Sequence, residues 1–237
     1  MSSLMMVIFT TSLAGLAMPL GGLLARVENF QSDWLAQEFR HLVMAFGAGA
    51  LLSAVGLVLV PEGIQHLSIL QASVSFIAGS LAFMALDIVL KKTNTPASQL
   101  AAMLADFIPE SIALGAAIAH GGNTAYLLAG LIALQNIPEG FNAYRELKAS
   151  PHFNAGKILF IFLGLAACGP LAGISGYLWL TDSHLIVGII MLFASGGILY
   201  SIFQDIAPQV KLEKHWFPPM GAVFGFLFGL LGFMWIH

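Results

Sequence analysis

The sequence predicts an all-α integral membrane protein built as a bundle of eight transmembrane helices, on three observations. The first is composition: of 237 residues, 58% are hydrophobic and only 9% charged, with a mean hydropathy of +0.88. A soluble domain carries about a quarter charged residues. The second is a series of eight apolar stretches, each near the roughly 20 residues needed to cross a hydrocarbon core of about 30 Å. The third is the bunching of basic residues at alternate connections between those stretches.

The stretches fall at 4–25, 40–60, 67–90, 99–120, 124–144, 156–181, 184–209 and 216–236. The segment Met1 to Met6 lacks a basic leader region, and the first apolar run is as long as a full span, so it reads as a retained helix and not a cleaved signal. The connections are too short for a separate soluble domain, so residues 1–237 read as a single transmembrane domain. Cys168 is the only cysteine, which excludes an internal disulfide and a Cys-rich metal motif.

Net charge is −3, but the placement of the nine basic residues says more. Arg26 and Arg40 flank the first connection, Lys91 and Lys92 the third, Arg145, Lys148 and Lys157 the fifth, and Lys211 and Lys214 the seventh. The even-numbered connections, around Pro61–His66, His120–Thr124 and Thr181–His184, have none. The positive-inside rule puts the odd connections in the cytoplasm and both termini outside.

Spans two and seven share a pattern. Gly49 runs to Pro61-Glu62 and Gly196 runs to Pro208-Gln209, each glycine twelve residues before its proline. Because span two runs outward and span seven inward, this predicts a 3+2+3 inverted repeat around a central pair, spans four and five. Transporters built on inverted repeats form their sites between the repeats near the midplane. In span eight, Gly221, Gly225 and Gly229 make a stripe that lets another backbone approach closely. That contact falls within one chain or between two copies in a homodimer.

The central pair holds the chemistry. Span four carries Asp106-Phe107-Ile108-Pro109-Glu110-Ser111, and span five carries Gln135-Asn136-Ile137-Pro138-Glu139-Gly140. Residues four apart share a helix face, so Asp106 pairs with Glu110 and Gln135 with Glu139. Each proline removes a backbone donor and displaces the carbonyl four residues earlier. Lipid offers that carbonyl no partner, so a Pro beside a Glu at this depth predicts a polar cavity.

A carboxylate near the bilayer centre costs a few kcal/mol and normally finds a counter-charge. With all Lys and Arg at the cytoplasmic ends, Asp106, Glu110 and Glu139 are left to a proton, water or a bound cation. Asp205, three residues before Pro208, is placed to join them from span seven. Carboxylate and amide oxygens suit divalent ions such as Mn²⁺, Fe²⁺ and Zn²⁺. The predicted metal-binding set is therefore Asp106, Glu110, Gln135, Asn136, Glu139 and Asp205. Asp87, four residues before Lys91, reads as a local ion pair. Glu62 and His66 read either as a metal-collecting entrance or as a solvated helix end.

At these residues the chain resembles the ZIP (Zrt- and Irt-like) family of divalent metal transporters. The Gln135–Gly140 motif and Pro109-Glu110 carry the likeness, together with eight spans and outward termini. The resemblance implies zinc or a related metal, often two ions, bound between spans four and five and moved by an elevator-like shift of a helix bundle. It makes Asp205 the equivalent of the family's seventh-span acid. Where the family has His-Asn at the start of the span-four motif, this chain has Asp106-Phe107. A carboxylate in place of imidazole shifts the expected preference toward Fe²⁺ or Mn²⁺, and Phe107 cannot ligate a second ion.

The rival reading is a proton-coupled transporter of an organic solute that uses the buried acids as a relay. An enzyme is not expected: there is no His-Glu-x-x-His motif, and no serine within the membrane sits beside a histidine base. The expected partners are the lipid bilayer and the transported ion, with no nucleic acid. The compact chain points to the inner membrane of a bacterium.

Overall fold

The structure is a computed structural model, and it describes residues 2–28, 32–93, 97–121, 123–210 and 216–236. Lys211, Lys214 and His215 of the seventh connection, and the terminal His237, lie outside them. Among the described residues there is no strand, and eight long helices account for nearly all of the chain. They are α1 (Ser3–Val27), α2 (Asp33–His66), α3 (Ile69–Thr93), α4 (Ala97–Ala119), α5 (Thr124–Ala149), α6 (Ala155–Trp179), α7 (His184–Val210) and α8 (Pro218–Ile236).

Local signals start and end these helices. The side chains of Ser2, Ser32 and Asn154 accept hydrogen bonds from backbone N–H groups in the first turns of α1, α2 and α6, which satisfies donors the helix itself leaves free. Gly121, at φ +76°, turns the chain after α4, a conformation that glycine adopts without strain. Helix α2 begins at Asp33, seven residues before the apolar stretch itself, because the cap at Ser32 extends it into the polar connection. Helix α6 is interrupted at Ala167, three residues before Pro170, whose missing N–H breaks the ladder there.

Seven of the eight helices are long and apolar enough to cross a membrane by length and composition. The eighth, α5, has 26 residues, but it carries Gln135, Asn136, Glu139, Arg145 and Glu146. It is also among the most enclosed helices, packing against α1, α2, α4, α6 and α8. The polar helix is thus shielded by the apolar ones.

The helices pack in two groups. In the first, α1 lies along α5 and α6, and α4 lies along α6; in the second, α2 lies along α8, and α3 along α7. Glycines set these contacts. A Cβ on Gly140 would strike the carbonyl of Met18, one on Gly115 that of Gly173, one on Gly49 that of Ala222 and one on Gly79 that of Phe193. Gly221 and Gly225 of the α8 stripe likewise press on the backbone of α2 at Leu42 and Phe46, so that stripe is used inside the chain. Among the described residues, every glycine whose added Cβ would strike another helix's backbone does so within its own group. Between the groups, where α2 meets α5 and α4 meets α7, contacts run through side chains, as at Gly47 against the Pro138 ring.

Helices α2 and α7 both widen into a π turn, at Val55–Leu59 and Ile202–Ile206. Each begins six residues before its proline, Pro61 or Pro208, and in each the residue before the proline donates its N–H to the carbonyl five back: Val60 to Val55, Ala207 to Ile202. The pattern shared by spans two and seven thus has the same backbone consequence in both helices.

Candidate functional site

Four helices, α2, α4, α5 and α7, enclose two cavities. One, of about 280 Å³, opens among the helix ends that carry Lys91 and Arg145; its polar lining is Asp106 of α4, Glu139, Asn142 and Glu146 of α5, and Ser201, Asp205 and Gln209 of α7. The other, of about 240 Å³, lies at the opposite end and holds Glu62 and His66. On each helix buried apolar residues lie between the two linings: Ala54 and Val55, Leu114, Leu131 and Ile132, and Ala194. A packed layer therefore separates the cavities.

Glu110 and Gln135 sit in that layer, both at 0% exposure. The Gln135 side-chain Nε2 donates to both carboxylate oxygens of Glu110 at 2.7 Å, so the Glu110 acceptors are met by one amide. Asp106, one turn earlier on α4, faces the larger cavity, as does Glu139 on α5. The structure thus divides the acids and amides of the central pair into a sealed hydrogen-bonded couple, Glu110 with Gln135, and a pair that lines the cavity, Asp106 with Glu139. Asn136 turns toward the first helix group and donates to the Ala14 carbonyl of α1 at 2.8 Å.

The oxygens left over are informative. Among the described residues, Asp106 Oδ1, Ser111 Oγ, Gln135 Oε1, Asn136 Oδ1 and Glu139 Oε2 are buried without a hydrogen-bond partner. A buried polar atom without a partner costs about 1–3 kcal/mol, more when charged, so five such oxygens from one pair of motifs call for partners or a cation. The ion pairs resolved among the described residues join Glu28 to Arg40 and Arg145, and Lys91 to Asp87 and Asp205. None of them involves Asp106, Glu110 or Glu139.

Asp205 differs from these acids. It lines the larger cavity from the π turn of α7, but Lys91 Nζ stands 3.4 Å from its Oδ1. Lys91 also holds Asp87 at 2.8 Å, the local pair expected from their spacing, and the Tyr200 hydroxyl donates to Asp87 at 3.3 Å. The counter-charge missing at the other three acids is present at Asp205. Phe107 is fully buried and packs toward Gly15 and Gly169, away from ligand duty.

Glu62 and His66 are not brought to the acids; they line the far cavity, where His120 and His184 join them. The sequence reading missed Asn142 and Glu146, although Glu139, Asn142 and Glu146 form a stripe at helical spacing. Compared with family models and with curated proteins, the chain matches none. Among the described residues, no group of three or more His, Cys, Asp or Glu side chains is already poised to hold a metal ion. What the larger cavity offers as it stands is a negative, oxygen-lined vestibule ending at two uncompensated carboxylates, an environment that concentrates cations.

Proposed function

We propose that the chain is a membrane transporter that carries divalent metal cations toward the cytoplasm, as its resemblance to the ZIP family implies. The observation that carries this reading is the pair of partnerless carboxylate oxygens of Asp106 and Glu139 at a cavity where, among the described residues, Lys91 reaches Asp205 but no ion pair reaches either of them. In the state described, an ion held by Asp106 and Glu139, with Glu110 and Gln135 as the oxygens behind them, leaves past Glu146 and Asp205 near the mouth. Such donors suit Mn²⁺ or Fe²⁺ at least as well as the zinc that the resemblance suggests.

The state described is open toward the basic end, which the positive-inside rule assigns to the cytoplasm. The matching π turns before Pro61 and Pro208 support the 3+2+3 inverted repeat, with both termini outside. Alternating access then follows from movement of the group α1, α4, α5, α6 against α2, α3, α7, α8. The acids lie on the first group or across the seam, so this elevator-like shift carries the site past the apolar layer. Glu110, which has only an amide as partner and is sealed from both cavities, favours a second reading in which the acids relay protons for an organic solute.

Uptake into proteoliposomes separates the two. Metal-dependent uptake of ⁶⁵Zn²⁺, ⁵⁴Mn²⁺ or ⁵⁵Fe²⁺ is expected from the wild type, with Glu110→Ala and Glu139→Ala each reducing it at least about tenfold, the loss caused by removing even an outer-shell partner of a metal. Wild-type rates in both variants would remove the metal pathway.

A further inference from the structure

The far cavity has a chemistry of its own. His66 ends α2, His120 follows α4, and His184 opens α7, and the three side chains meet there with Glu62. The His184 ring lies between the others, its centroid 4.8 Å from that of His66 and 4.3 Å from that of His120. His120 Nδ1 stands 2.7 Å from the Ala116 carbonyl. A carbonyl only accepts, so Nδ1 carries a proton, and in the neutral ring this leaves the Nε2 lone pair for a metal.

We propose that His66, His120 and His184, with Glu62, form an imidazole-rich binding site for a divalent cation of the Zn²⁺, Co²⁺ or Ni²⁺ type, separate from the oxygen-lined site of Asp106 and Glu139. As they stand the rings are tilted against one another, at 46° and 44°, and do not chelate, so binding requires them to turn. For the two neighbouring pairs the movement is small: two imidazoles on one tetrahedral zinc, at about 2.0–2.1 Å per bond, have centroids roughly 5 Å apart. The observed separations are within an ångström of that. All three side chains are exposed, and exposed side chains change rotamer in picoseconds to nanoseconds. Nitrogen donors with one carboxylate favour these borderline ions over the harder ions suited to the oxygen site.

His66 and His184 belong to the second helix group and His120 to the first, so an ion shared among them ties the two groups together at this end. That consequence for transport rests on the metal-carrier reading; the binding itself does not. The test is a Co²⁺ titration of the purified full-length chain, followed by ligand-field absorption and calorimetry. The comparison is between wild type, the single variant His66→Gln, the triple variant His66→Gln/His120→Gln/His184→Gln, and Glu110→Gln/Glu139→Gln. The His66→Gln change touches only an exposed helix end and keeps the test valid if the triple variant does not fold.

The wild type and the Glu110/Glu139 variant are expected to show the imidazole-bound Co²⁺ spectrum. The His66→Gln variant is expected to bind at least about tenfold more weakly, and the triple variant to lose the spectrum. A wild type without that spectrum, or a folded histidine variant that titrates like it, overturns the site. Absent metal uptake with the spectrum intact overturns the carrier reading instead and leaves this site standing.

Discussion

Contacts inside the two helix groups and contacts between them are built from different materials. Inside, glycine brings backbone against backbone, as at Gly140 on Met18 or Gly49 on Ala222. Between, α2 meets α5 and α4 meets α7 through side chains, and both cavities open along this seam. In lipid there is no hydrophobic drive to hold helices together, so close backbone packing supplies much of the cohesion. Under the transporter reading, the difference separates what must stay fixed from what is free to slide.

The sharpest way to break the comparison is to add one methyl group on each side of it. Gly140→Ala and Gly49→Ala force a Cβ into a neighbouring carbonyl that cannot move without its helix, and overpacking of this kind costs about 1–3 kcal/mol, sometimes more. Gly47→Ala meets the Pro138 ring across the seam and is expected to cost less. Melting of the detergent-solubilised variants should rank Gly140→Ala and Gly49→Ala well below Gly47→Ala, while Gly47→Ala loses more uptake than its stability change explains. Equal melting temperatures for all three would dissolve the distinction between rigid groups and a sliding seam.

A second contrast, smaller in stability but large in function, lies within the seam itself. Asp106 and Glu139 each bury an oxygen without a partner, whereas Asp205 has Lys91. Asp106→Asn and Glu139→Gln remove a poorly compensated charge, so the fold should gain about 1 kcal/mol or hold level while metal uptake falls. Stability and activity measured on the same preparations check this. A clear loss of stability in both variants would mean that these carboxylates hold the structure together and are not reserved for an ion.

The sequence made the eight helices legible because each follows a continuous apolar stretch, and it made Glu110, Gln135, Asp106 and Glu139 stand out because they are polar residues beside proline inside such stretches. It also pointed to a pattern shared by spans two and seven, through Pro61 and Pro208, and both helices carry a π turn before that proline. What it did not reveal depends on pairing between distant segments. The Gln135 bond to Glu110, the turn of Asn136 onto Ala14 and the reach of Lys91 to Asp205 all require knowing which helix faces which. The histidine cluster had a signal that was passed over: each even-numbered connection lacks Lys and Arg but carries one of His66, His120 and His184.

The smallest effect concerns Lys91, whose side chain is 55% exposed. Exposed ion pairs contribute about 0–1 kcal/mol, so Lys91→Ala should hardly change the melting temperature. Its ammonium nevertheless stands at the wall of the larger cavity and neutralises Asp205, one of the carboxylates that line it. Removing it makes the vestibule more negative, and a more negative vestibule attracts divalent cations more strongly at low ionic strength. Under the metal-carrier reading, Lys91→Ala is expected to lower the apparent KM for a metal presented from the basic side a few-fold in 10 mM salt, and to lose that advantage near 1 M, where the Debye length falls to about 3 Å. A KM unchanged at low salt would mean that Asp205 lies outside the ion's path, and the vestibule would then end with Asp106 and Glu139.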